Sequence, residues 1–91
     1  MSQMPWIPVP VRTVIEKEID GEFLLHDPLT GSVHHLNAVA GLVWRLCDGV
    51  RSSETIAAEV GAAYRKSPSE IAVDIEDVLR NFSEKGLIGQ L

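Results

Sequence analysis

The spacing of hydrophobic and polar positions along this chain changes from a strand period to a helix period at Leu36 and Asn37. Upstream, Val11 to Ile19 alternates: Val11, Thr13, Ile15 and Ile19 fall on one face, Arg12, Glu16 and Glu18 on the other, as in a half-buried strand. Asp20-Gly21 is a strong short hairpin signal and leads into a second strand over Glu22 to Asp27. The turn residues Pro28 to Gly31 return the chain as a third strand, Ser32 to Leu36. The pattern predicts a three-stranded antiparallel meander with the second strand in the centre and the other two as edges.

Downstream the period is helical. Asn37 is a favoured N-cap, and Val39, Leu42, Val43 and Leu46 recur at the spacing of one helical face. Gly49 suits the left-handed position that ends the helix. Ser52 opens a second helix with Ile56, Ala57, Val60 and Tyr64 inward. Ser67, Pro68 and Glu70 form a capping box with proline at the first helical position. The third helix then carries Ile71, Ile75, Val78 and Phe82 on one stripe, with Leu79 at its margin, and Gly86 ends it so that Leu87 and Ile88 fold back onto the core. Three strands followed by three helices is an α+β pattern, the helices covering one face of the sheet.

Residues 1–10 stand apart from the domain at residues 11–91. Pro5, Pro8 and Pro10 bias this arm to an extended, polyproline-like path without regular hydrogen bonds. Its apolar residues Trp6 and Ile7 pack either on the domain's own surface or on a second copy in a homodimer. The 91 residues suffice for one modest core, burying roughly 60 to 65% of the unfolded surface. No window approaches the run of about 20 apolar residues that a membrane span needs, and no basic segment precedes an apolar one at the N-terminus, so a cytoplasmic location is expected. A net charge of -5, from 13 acidic and 8 basic residues, argues against nucleic acid as the partner.

Catalytic chemistry is hard to assemble. His34 and His35 are adjacent on a strand and point to opposite faces, and His26 is the only other histidine. A zinc site would need more ligands than these with Asp27 and the single Cys47, which reads as a small buried hydrophobe. Asp74, Glu76, Asp77 and Glu84 read as a solvated helix face rather than an acid and base. There is no Gly-rich phosphate loop and no Gly-x-Ser-x-Gly. No catalytic residue, metal or cofactor is expected.

Three runs are more specific: Glu22 to Asn37 with its Leu36-Asn37 junction, Val43 to Ser52 with Leu46-Cys-Asp-Gly49, and Asp74 to Ile88 with Lys85-Gly-Leu-Ile88. Together they resemble the PqqD family. The resemblance implies a winged helix-turn-helix fold and a role as a non-catalytic recognition element for ribosomally made, post-translationally modified peptides, PQQ biosynthesis included. Such a domain holds the leader of a precursor peptide and presents it to a modifying enzyme: a radical S-adenosylmethionine protein, a cyclase or a leader peptidase.

The residues themselves add where a peptide would lie. Glu16, Lys17 and Glu18 guard the first edge strand with charge, whereas Ser32, Val33, His34, His35 and Leu36 carry no permanent charge and leave the third strand open to strand addition. A leader is expected to lie antiparallel there, in a groove shared with Ile71, Asp74, Ile75, Val78 and Leu79 of the third helix. Which flank of that helix faces the groove stays open: Asp74, Asp77 and Asn81 on one side, Ala72 and Leu79 on the other. The rival function is a winged-helix DNA-binding regulator, against which the charge of -5 counts.

Overall fold

The computed structural model describes residues 6–90; the part of the arm at residues 1–5 lies outside them. The chain runs β1 (Pro8–Pro10), β2 (Ile15–Ile19), β3 (Glu22–Asp27), β4 (Ser32–Leu36), α1 (Ala38–Leu46), α2 (Ser53–Ala63), α3 (Pro68–Glu84) and β5 (Ile88–Gln90). Strands β2, β3 and β4 form the antiparallel meander with β3 central. The three helices cover one of its faces, giving the expected α+β winged-helix architecture.

The caps fall where the sequence places them. Asn37 Oδ1 accepts from the Ala40 N–H at 2.8 Å, and Ser52 Oγ accepts from the Thr55 N–H at 3.1 Å. In the capping box, Ser67 Oγ accepts from the Glu70 N–H at 3.3 Å while the Glu70 carboxylate accepts from the Ser67 N–H at 2.8 Å. Each supplies an acceptor to an N–H that the first helical turn leaves without one. The apolar faces meet in one core of Leu25 from the sheet, Val43 and Trp44 from α1, Ile56 and Val60 from α2, and Ile71, Ile75, Leu79 and Phe82 from α3. Trp44 and Phe82 pack edge to face with ring centroids 5.8 Å apart.

Four details depart from the sequence reading. The arm is not free of regular hydrogen bonds, because β1 pairs antiparallel with β5, Val9 opposite Gly89. Pro8 and Pro10, two residues apart, lose their donors on the same side of the strand. The opposite side stays intact, and the Val11 N–H donates to the Leu87 carbonyl at 2.9 Å. The carbonyls of Trp6 and Pro8 accept from Ser53 and Gly49 at 2.7 and 3.1 Å, so the arm is stitched to its own domain.

The second departure is the phase of β2. Glu16 lies opposite Leu25 and Glu18 opposite Phe23, on the helix-facing side, while Ile15 and Ile19 are 45% and 52% exposed on the outer face. Arg45 of α1 accounts for this: its guanidinium bonds Glu16 at 3.0 Å, reaches Glu18 at 3.7 Å and sits 4.6 Å above the Phe23 ring. The cation gives both carboxylates a partner on this face, where Glu18 still meets water. The third and fourth departures are small. The α3 stripe is centred on Leu79, which is fully buried, with Val78 half-buried at its margin, and Tyr64 is exposed where α2 ends.

Candidate functional site

The backbone of β4 is open along one edge, and its hydrogen-bonding parity follows from the first hairpin. Asp20 and Gly21 have φ of 53° and 80°, the pair of positive values that defines a type I′ turn. Such a turn closes on a bonded pair, here Ile19 and Glu22, and alternation then directs the amides of Leu24 and His26 to β2 and those of Phe23, Leu25 and Asp27 to β4. Strand β4 answers with Ser32, His34 and Leu36. Val33 and His35 therefore turn their N–H and C=O groups outward, unpaired by the sheet. The side chains of Ser32, His34 and Leu36 point to the helices, those of Val33 and His35 to the outer face.

Beside this edge lies a groove of about 260 Å³ between the end of β4, the start of α1 and the second half of α3. Leu36, Ala40, Val78, Phe82 and Leu87 make its apolar lining. Polar groups rim it: His34, His35 and Asn37 on one side, Asp77, Asn81 and Lys85 on the other. The Asp77 carboxylate accepts from Arg80 at 2.9 Å, so its charge is already partnered. The Asn37 amide oxygen is occupied by its capping bond.

Of the residues expected here, His34, His35, Leu36 and Val78 line the groove, and Ser32 and Val33 continue its strand. Ile71, Ile75 and Leu79 do not: they are buried in the core, because the α3 stripe that meets α2 and the sheet is centred on them. Asp74 is exposed on the groove's flank but stands one turn before its lining begins. Of the two flanks left open by the sequence, Asp77 and Asn81 face this groove while Ala72 faces a separate cleft. Asn37, Ala40, Phe82, Lys85 and Leu87 were missed. Lys85 follows Asn81 at i+4, so extending that flank by one turn would have found it.

The separate cleft, about 720 Å³, opens on the other side of α3 between Trp6, Ala57, Ala72 and Arg80. It is larger but borders no free strand edge. No cluster of potential metal ligands occurs among the described residues. Burial, with Asp48 beside it, pushes the Cys47 thiol up to about 12, so it is not a nucleophile at neutral pH. Among the described residues no helix is long and apolar enough to cross a membrane.

The profile of the family described as Coenzyme PQQ synthesis protein D (PqqD) matches residues 22–88, which hold the meander's second hairpin, the three helices and the whole lining of the groove. The chain belongs to the PqqD family. No curated protein matches this PqqD-family chain significantly. Among solved structures it is similar to TbiB1 in complex with the TbiA(beta) leader peptide, with 28% identity, a TM-score of 0.76 and coverage of 87% of this chain and 92% of the other. It is also similar in fold to lasso peptide synthetase B1 complexed with the leader peptide, at 23% identity and a TM-score of 0.77, over 91% of this chain and 98% of that one.

Proposed function

We propose that this PqqD-family chain is a non-catalytic adaptor that binds the leader segment of a ribosomally synthesised precursor peptide and presents it to a modifying enzyme. The observation that carries the reading is the open edge of β4 beside an apolar groove, in a chain whose relative TbiB1 is solved with a leader peptide. An extended leader would bond to the outward amides of Val33 and His35 and set alternate side chains into the groove against Leu36, Ala40 and Val78. The enzyme it serves is of the class that modifies such peptides: a radical S-adenosylmethionine protein, a cyclase or a leader peptidase.

A DNA-binding reading is less well supported. The exposed face of α3, the helix that would enter a major groove, carries Glu70, Asp74, Glu76, Asp77 and Glu84 against Arg80, with Lys85 just past its end. A phosphate backbone would meet net negative charge there.

Co-purification from the native host should bring a short precursor peptide and its modifying enzyme, and isotope-edited NMR titration with that peptide's leader locates the site. We expect shifts along residues 32–36 and from Asp77 to Lys85. Shifts confined to β2 or α2, with residues 32–36 silent, would overturn the placement.

A further inference from the structure

A sheet with helices on one side ordinarily turns a polar face to water on the other. Here β2 does the reverse: Glu16 and Glu18 turn to the helix side, paired with Arg45, and Ile15 and Ile19 turn out. A one-residue slip of β2 would hide both isoleucines and expose both glutamates, but the Arg45 pairing holds the opposite phase. Alternation puts Leu24 of β3 and Val33 of β4 on the same outer face, where Ile15 and Val33 flank His26 while Lys17 and His35 flank Leu24. Ile15, Ile19 and Val33 are 45%, 52% and 54% exposed, and Leu24 is half-buried. The result is an apolar face that the domain's own helices do not cover.

We propose that this outer face is where a second copy of the chain docks, sheet against sheet, in a weak two-fold dimer. The charge on the face selects that occupant. Among its strand residues only Lys17 and Glu22 carry permanent charge, one of each sign, so the face is neutral although the chain carries -5. Two such faces meet without adding like charge, and a two-fold that sets β2 over β3 of the other copy brings Lys17 within reach of that copy's Glu22. The interleaved isoleucines, Leu24 and Val33 supply the apolar burial. Three strands about 4.8 Å apart and about 17 Å long present roughly 250 Å² in plan, well below the about 800 Å² per partner of stable complexes, so the dimer forms only at high concentration. The β4 edge and its groove stay free in it, which makes the proposal independent of leader binding.

The test is sedimentation equilibrium of the full chain over a dilution series, with NMR amide shifts followed over the same series. We expect the mean mass to rise from 10.0 kDa toward twice that value between about 10 µM and about 1 mM, with shifts on residues 15–19 and 22–26. Ile19→Lys should weaken association at least about tenfold, since it sets a cation where an apolar side chain was covered. Lys17→Glu and Glu22→Lys each give both copies a face of like net charge and should weaken association about threefold or more; the double variant, neutral again, should recover it. A chain that stays monomeric at about 1 mM would overturn the proposal and leave the face to a different partner, the modifying enzyme first. A dimer indifferent to Ile19→Lys, or one whose shifts fall on residues 6–10 or on the groove, would overturn it as well. If Ile19→Lys fails to fold, the charge swaps and the wild-type shifts still decide.

Discussion

Single residues along β4 have different duties according to parity, and proline separates them. His35→Pro removes an amide that faces outward on an edge strand, a position where proline is tolerated. We expect the fold to persist and leader affinity to fall by about 1 kcal/mol, roughly fivefold, in a calorimetric titration. His34→Pro removes an amide bonded to Leu25, so its main effect should be a lower melting temperature. Equal loss of stability in both variants would contradict the parity. Cys47 offers a second check on the scale of one side chain. Its thiol is raised from 9.0 to about 12, so the folded state favours the neutral form. The stability this contributes is complete below the unfolded value and is lost as pH rises from there toward the folded one. Alkylation of native protein at pH 8 should therefore be slow and should accelerate on adding urea; rapid native labelling would show an accessible thiolate.

Elements are held by their ends and crossings. At the turn from α2 to α3, Gly61 is buried and its carbonyl accepts from the Lys66 N–H at 2.7 Å; a Cβ added to Gly61 would stand 2.6 Å from the Lys66 carbonyl oxygen. Because that neighbour is backbone, Gly61→Ala should destabilise the domain by roughly 1–3 kcal/mol in a denaturant titration. At the start of α3, hydrogen bonds from Ser67 hold the Glu70 carboxyl below its ordinary 4.5. A depressed carboxylate contributes stability above its unfolded value and loses it as pH falls through the folded one. Acid should fray this helix end, and Glu70→Gln should flatten that part of the pH profile measured by circular dichroism. The capping residues were legible in the sequence because a cap is a local event, decided within four residues. The face of β2 was not, because it depends on Arg45, 29 positions from Glu16, and alternation cannot foresee a cation that replaces an apolar cover. The pairing of β1 with β5 was hidden for the same reason: proline spacing shows which donors are missing, while the partner strand lies at the far end of the chain.

For the whole molecule, the candidate site was legible where it depends on the third strand of the meander and illegible where it depends on helix rotation. A rotation of α3 by nearly half a turn separates Leu79 from Asn81 at the groove, and packing against α2 and the sheet fixes that rotation. The same rotation sets the electrostatics. Charge distribution, rather than the net -5 alone, then governs how binding responds to salt. An acidic groove would attract Lys or Arg in the leader and weaken with added salt. Here Asp77 is tied to Arg80, and Lys85 stands on the same rim with the opposite sign. The main-chain bonds that a leader would make to Val33 and His35, and its apolar contacts to Leu36 and Val78, would be insensitive to screening over the Debye lengths of ordinary buffers, about 10 Å at 0.1 M. We therefore expect leader affinity to change less than about threefold between 50 and 500 mM salt, by order of magnitude for uncharged contacts. Duplex DNA should behave in the opposite way, with weak binding at low salt that disappears as counterion release loses its driving force. Titrating both ligands across one salt series tests the two together: sequence-selective, submicromolar DNA binding would sink the adaptor reading, while steep salt dependence of the leader alone would place charged residues in the groove contact.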